Sequence, residues 1–285
     1  MQTLILGNRG QLGRDLERVF SGAGDVLGLD LPDLDITDEK ALAQILRDNR
    51  PDVVLNAAAY TDVEAAEAHF EEALQVNAVG PRVIGRLCAR QEIPVVHYST
   101  DYVFPERASG AWTEENPVDP DAALNAYGRS KALGETALRA QTDRYYIIRT
   151  AWLFGPGGNN FVEKILRTAA TRPELWVVDD ETGCPTHTWD LAEATLNLIG
   201  TGVYGVYHVV NSGECSRYAY AREILWQAGI NTPVRPCASS EYPTAARRAK
   251  RSVLSTARYE AVTGSRMRPW QEALAHYLER RKSLS

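Results

Sequence analysis

The chain has 285 residues, 44% hydrophobic and 24% charged, the balance of a globular protein that can bury a large core. A formal charge of −6 argues against a nucleic-acid partner, because gripping a phosphate backbone needs a concentrated cationic face. No stretch reaches transmembrane length, and MQTLILGNRG lacks the basic start and long apolar run of a secretion signal, so a cytoplasmic protein with no membrane partner is expected. Cys88, Cys184, Cys215 and Cys237 are too far apart for CxxC pairs and the histidines form no HExxH, so reduced structural thiols and no metal site are predicted.

In chain order, short β-rich runs alternate with longer amphipathic ones. TLIL precedes QLGRDLERVF, DVLGLD precedes DEKALAQILRDN, and VVLNAAA precedes one long helical stretch, VEAAEAHFEEALQVNAVGPRVIGRLCARQ; IPVVHYS, NAYGRSKALGETALRAQ and YYIIRT follow. Runs such as VVLNAAA do not alternate polar with apolar, which suits parallel strands covered by helices on both faces. The pattern predicts an α/β protein with a doubly wound, Rossmann-like parallel sheet. After residue 150 the rhythm loosens: GPGGNN, DDETGCPT and EYPTAARR are turn-rich, between shorter helices in FVEKILRTAA and AYAREILWQA. Residues 151–285 are therefore expected to form mainly a smaller C-terminal lobe, interleaved with the first 150 residues.

Gly7, Gly10 and Gly13 in GNRGQLG follow the first strand and open the first helix, so a phosphate could approach bare N–H groups at a positive helix end. The second strand ends in Asp30, placed to accept hydrogen bonds from an adenosine ribose. Residues 1–150 thus read as a dinucleotide-binding domain. Arg9 could pair with the 2′-phosphate of NADP, which Asp30 would repel, so NADPH and NADH both stay open. Asp35 and Ile36 could border adenine, and Ala57, Ala58 and Ala59 would let a cofactor lie against the backbone.

In NAYGRSK, Tyr127 and Lys131 are four apart on a helix and share a face. An ammonium beside a phenol favours the phenolate and lowers its pKa, which suits a general acid for an alkoxide forming on a carbonyl carbon. HYSTDY ends the IPVVHYS strand on the edge where parallel sheets bind ligands. Thr100 could meet the carbonyl oxygen that Tyr127 protonates, and Asp101 and Tyr102 could hold other hydroxyls. In ARRAKRS, Arg247 and Arg248 follow the YPTA turn, which could aim guanidinium forks at substrate phosphates.

GNRGQLG, NAAAYT, HYSTDYVF and YGRSK, in this order, resemble the extended short-chain dehydrogenase/reductases. Within them the chain is similar to the dTDP-4-dehydrorhamnose reductase branch, with RPDVVLNAAAYTDVEAAE, IRTAWLFGPGGNNFV, TGCPT, GVYHVV and YPTAARR carrying the likeness along nearly its whole length. The resemblance implies Thr100, Tyr127 and Lys131 as catalytic residues. It implies a dinucleotide site lined by Gly10, Gln11, Leu12, Asp30, Asp35, Ile36, Ala59, Tyr60, Thr61 and Tyr98, with Tyr127 and Lys131 also touching the cofactor. Thr100, Asp101 and Trp152 would then meet the sugar of a dTDP-sugar substrate, Trp152 covering its apolar face. In related dehydratases a glutamate follows the STD triplet; Tyr102 stands there instead, which favours plain carbonyl reduction. Two features depart from the branch: PVDPDAALNAYG is longer before the tyrosine, and Arg217 stands where an aromatic is common. Magnesium is known in the branch, but Asp15 is the one matching acid here and no metal site follows from it. A homodimer, a keto sugar of another nucleotide as substrate of a reductase or epimerase, and a non-catalytic dinucleotide-binding regulatory subunit all stay compatible with these motifs.

Overall fold

Leu4, Ile5 and Leu6 of the first strand, β1 (Gln2–Leu6), have no exposed surface. Successive side chains of a strand point to opposite faces, so such a run needs cover on both. The protein, seen in a computed structural model that describes the backbone of residues 1–284 and side chains through residue 282, provides it. Leu4 and Leu6 join a cluster with Leu42, Leu46, Val83 and Leu138, whereas Ile5 joins Leu12, Leu16, Phe20, Leu191 and Leu198.

From β1 the chain runs through α1 (Gln11–Ser21), β2 (Asp25–Leu29), α2 (Glu39–Asn49) and β3 (Val53–Asn56). The expected single long helix is divided into α3 (Ala65–Ala68), α4 (Phe70–Leu74), a π-helical turn at Gln75–Val79 and α5 (Gly80–Ala89). His69 leaves helical geometry at φ −122°, ψ 44°, and Pro81 supplies no N–H to the start of α5. Then come β4 (Val95–Thr100), α6 (Ala126–Arg139) and β5 (Tyr145–Thr150).

Beyond residue 150 lie β6 (Leu153–Phe154), α7 (Phe161–Ala169), β7 (Leu175–Val178), β8 (Thr182–Gly183) and β9 (Thr186–His187), followed by α8 (Thr188–Gly200) and β10 (Gly205–His208). The chain closes with β11 (Cys215–Ser216), α9 (Arg217–Gln227), β12 (Val234–Cys237), α10 (Ala257–Thr263) and α11 (Trp270–Leu284). Six parallel strands make one sheet in the order β2-β1-β3-β4-β5-β10. The strand order reverses between β1 and β3, which opens a crevice at their carboxyl ends.

The later half contributes to both regions. β10 extends the sheet, and α8 packs on α1. Phe154, Val162, Leu175, Tyr220, Trp270 and Tyr277 instead form a separate core beneath α7, α9 and α11. All four cysteines are free, and among the described residues no helix is long and apolar enough to cross a membrane.

Candidate active site

The turn after β1 is tight because two glycines let backbone meet backbone. Gly7 has φ +85°, and a Cβ there would lie 2.5 Å from the Ala58 nitrogen; one on Gly13 would lie 2.1 Å from the Gly7 carbonyl oxygen. Gly10 is the N-cap of α1 and supplies no side-chain hydrogen bond, so the first N–H groups of the helix have no side-chain cap. That cradle fits a dinucleotide pyrophosphate. Gln11 reaches across to the second lobe, where its Oε1 would crowd a Cβ on Gly158 and accepts from Asn160 Nδ2 at 3.4 Å.

Asp30 follows β2 and accepts the backbone N–H groups of Arg9 (3.1 Å) and Leu31 (2.8 Å). Arg9 donates to the Leu31 carbonyl at 2.7 Å and pairs with Asp33, which sets a guanidinium on the rim beside Asp30. Asp35 is occupied locally, accepting from the Thr37 backbone (2.8 Å) and hydroxyl (2.7 Å). Ile36 packs in the core, where a Cβ on Gly80 would meet its Cδ1 at 2.5 Å. Ala59, Tyr60 and Thr61 continue from β3. Asn77, fully buried in the π-helical turn, clamps that segment: it accepts from the Tyr60 N–H (2.9 Å) and donates to the Tyr60 carbonyl (3.0 Å). Its amide also donates to Ser130 Oγ (2.9 Å), which donates to the Tyr127 carbonyl (2.7 Å). Asn77 and Ser130 were not among the sequence candidates.

Asn125 caps α6 by accepting from the Gly128 N–H at 2.8 Å. Gly128 lets the helix press on the turn after β4, since a Cβ there would lie 2.2 Å from the Tyr102 carbonyl oxygen. Tyr127 and Tyr102 meet edge to face at 6.1 Å. Thr100 donates to Asp101 Oδ1 (2.9 Å) and accepts from the Tyr102 N–H (3.2 Å). Lys131, 2% exposed, donates to the Tyr98 carbonyl at 2.6 Å. Burial brings the Lys131 pKa down to about 8, with Glu135 opposing.

The expected electrostatics of the Tyr127–Lys131 pair need correction. The Tyr127 phenol is pushed up from its ordinary value, first by desolvation and then by Asp101 and Tyr102, while a hydrogen bond with Thr100 pulls the other way. Burial outweighs what helical spacing alone suggested, and the phenol is held protonated. The Tyr98 side chain lies in the core, with its hydroxyl donating to Thr195 Oγ1 at 3.0 Å, while its carbonyl accepts from Lys131.

Beneath Lys131, Glu135 accepts from Ser99 (2.6 Å) and from Arg149 Nε and Nη2 (2.9 and 2.7 Å), with both charged side chains 3% exposed. On the facing lobe, Trp152 has φ +46°, a left-handed conformation that costs a non-glycine residue about 1–3 kcal/mol. The Arg217 guanidinium covers one indole face, 3.4 Å from its centroid, so that face is closed to a sugar ring. Arg248 pairs with Glu64 at 2.7 Å and hydrogen-bonds Tyr102. Arg247 turns elsewhere: its side chain is 67% exposed and pairs with Glu106, because Asn125 holds the Arg247 carbonyl at 2.9 Å and fixes the turn. Asp15 accepts from Thr188 (2.6 Å) and is flanked by Arg18 (3.4 Å) and Arg280 (3.6 Å), which balance its charge. Among the described residues His187, Asp190 and His276 could approach one cation, but Arg268 already donates to both Asp190 (2.8 Å) and His276 (2.8 Å).

Comparison with known proteins is consistent with this geometry. The family described as RmlD substrate binding domain matches residues 1–283. The chain belongs to that family. Among relatives of this RmlD-family chain, the spore coat polysaccharide biosynthesis protein SpsK of Bacillus subtilis (strain 168) is 39% identical over 283 residues, 99% of this chain and 98% of the relative. The dTDP-4-dehydrorhamnose reductase of Mycobacterium tuberculosis (strain ATCC 25618 / H37Rv) is 41% identical over 277 residues, 95% of this chain and 90% of that enzyme. The dTDP-4-dehydrorhamnose reductase of Bacillus anthracis str. Ames, solved in complex with NADP, superposes with a TM-score of 0.94 at 34% identity, covering 98% of this chain and 99% of that one.

Proposed function

We propose that this protein reduces dTDP-4-dehydro-L-rhamnose to dTDP-L-rhamnose, with NADPH or NADH as reductant. The observation that carries the reading is the convergence of Thr100, Asp101, Tyr127 and Lys131 where β4 ends, on the same carboxyl edge of the sheet as the glycine turn and one strand away from it.

Gly7, Gly10, Gly13 and the first turn of α1 would receive the pyrophosphate of the dinucleotide, while Asp30 and Arg9 would flank its adenosine ribose. The bound dinucleotide supplies the hydride. Tyr127, kept protonated by its surroundings, gives its phenolic proton to the C4 oxygen, so that oxygen ends as a hydroxyl. The Thr100 hydroxyl turns from Asp101 towards the same oxygen. Lys131, fixed by the Tyr98 carbonyl, orients the nicotinamide ribose and places positive charge beneath the departing proton. Asp101 and Tyr102 would hold the sugar, and Trp152, one indole face of which Arg217 covers, would border it.

The test is incubation of the purified protein with dTDP-, UDP- and GDP-linked 4-keto sugars, following reduced-nicotinamide absorbance with each coenzyme. Oxidation of the coenzyme with the dTDP-linked keto sugar is expected. Its absence would overturn this reading in favour of a dinucleotide-binding regulatory subunit, or of another nucleotide sugar if a different member of the panel responds.

A further inference from the structure

Arg217 opens α9 directly after Ser216, which caps the helix by accepting from the Ala219 N–H at 3.0 Å. Its side chain is 17% exposed and lies between two aromatic rings, 3.4 Å from the Trp152 centroid and 5.2 Å from that of Phe161. A guanidinium carries five N–H donors in a planar fork, and leaving them unspent below the surface is costly. Two other arginines of this half spend their forks: Arg251 grips Glu214 with two bonds (2.9 and 2.7 Å), and Arg281 grips Glu163 (2.7 and 3.1 Å). Arg217 is different. Among the described residues its side chain makes no hydrogen bond, and the carboxylate it pairs with, Glu181, stands 3.8 Å away.

A second guanidinium faces the same spot. Arg217 and Arg248 both act on the Tyr102 phenol and on each other, with Asp101, Glu181 and Glu64, the last 2.7 Å from Arg248, as the carboxylates around them. Stacking explains why Arg217 stays in place without a hydrogen-bonded partner: the indole face holds the cation and leaves the donors at the edge of the fork unspent. Two forks converging beside a phenol match the oxygens of a diphosphate better than the hydroxyls of a neutral sugar.

We infer that Arg217, together with Arg248, forms the subsite for the diphosphate of a nucleoside-diphosphate sugar, Arg217 acting as a specificity-determining residue. The inference rests on the nucleotide-sugar reading above and adds to it the group that Arg217 reads. Glu181 is the carboxylate that balances Arg217 until the phosphate arrives.

The experiment uses the full chain saturated with NADP, so that the glycine turn is filled, and measures binding of inorganic pyrophosphate, dTDP and thymidine by calorimetry. Arg217→Met is expected to weaken pyrophosphate and dTDP about 10- to 100-fold, the range for losing a charge-assisted contact, and to leave thymidine and NADP affinities unchanged. Arg217→Lys, which keeps charge without the fork, should fall between, and it carries the test if the methionine variant does not fold. Glu181→Gln should bind dTDP as tightly as the wild type or more so. Unchanged dTDP binding in both Arg217 variants would overturn the inference. So would an equal loss for thymidine, or a loss in Glu181→Gln matching that of Arg217→Met, the pattern of a pair that reads hydroxyls. If no keto sugar is reduced but pyrophosphate binding depends on Arg217, the proposed reaction falls and the subsite stands.

Discussion

Lys131→Met should make the protein more stable at neutral pH while removing turnover. Burial lowers the Lys131 pKa from the ordinary 10.5 to about 8, so the folded state binds this proton less well than the unfolded chain does. At about 1.4 kcal/mol per pH unit, carrying the ammonium costs the fold about 3 kcal/mol near neutrality. Losing the hydrogen bond to the Tyr98 carbonyl takes back about 1 kcal/mol. Below the folded pKa both states hold the proton and the full cost applies. As pH rises from about 8 towards 10.5, the folded state releases the proton first and wild-type stability recovers. The variant should therefore be about 2 kcal/mol more stable than wild type at about pH 7, with little advantage left at about pH 10. Urea denaturation of both proteins at the two pH values measures this. A variant no more stable than wild type near neutrality, or an advantage that ignores pH, would refute the reasoning.

Tyr127→Phe should retain coenzyme affinity and lose about 10²- to 10⁴-fold in kcat, as expected for removal of a general acid; a wild-type rate would remove Tyr127 from that role. Gly13→Ala forces a methyl to within 2.1 Å of the Gly7 carbonyl oxygen, whereas Gly10→Ala would place one at 3.4 Å. The first should weaken NADPH by at least about tenfold and the second much less, and equal binding titrations would count against the cradle. Glu135→Gln leaves Arg149 buried beside a neutral amide and should cost about 3–5 kcal/mol in thermal or chemical unfolding, while Glu135→Gln with Arg149→Met recovers much of it. A single variant as stable as wild type would show that the pair is structurally idle.

Local spacing made much of this protein legible. The apolar runs around Leu4–Leu6 and Val53–Leu55 required cover on both faces, and the sheet supplies it. Tyr127 and Lys131 share a helix face over four residues, and Gly7 and Gly13 stand at the close backbone approaches of the first turn. What spacing could not carry was burial and distant pairing. The Tyr127 phenol is raised by desolvation, a property of its surroundings in space. Asn77 meets Ser130 across 53 positions and Asn125 meets the Arg247 carbonyl across 122, with no local pattern to announce either. Tyr98 lies in the core with its hydroxyl on Thr195, a partner 97 positions away that no local pattern announces. Arg217 was visible only as a residue of unexpected type; its place over Trp152 depends on packing between β6 and α9, far apart in the chain.

The outermost plank of the large sheet is β10, laid beside β5 in the register Tyr146–Gly205 to Arg149–His208. It is translated only after the chain has made β6 to β9, so the nascent sheet waits with one flank of β5 bare. A chimaera that swaps everything after residue 150 for the tail of a relative would thus replace a border of the large sheet as well as the second core. Retuning substrate choice by grafting would have to spare residues 188–208 of the host.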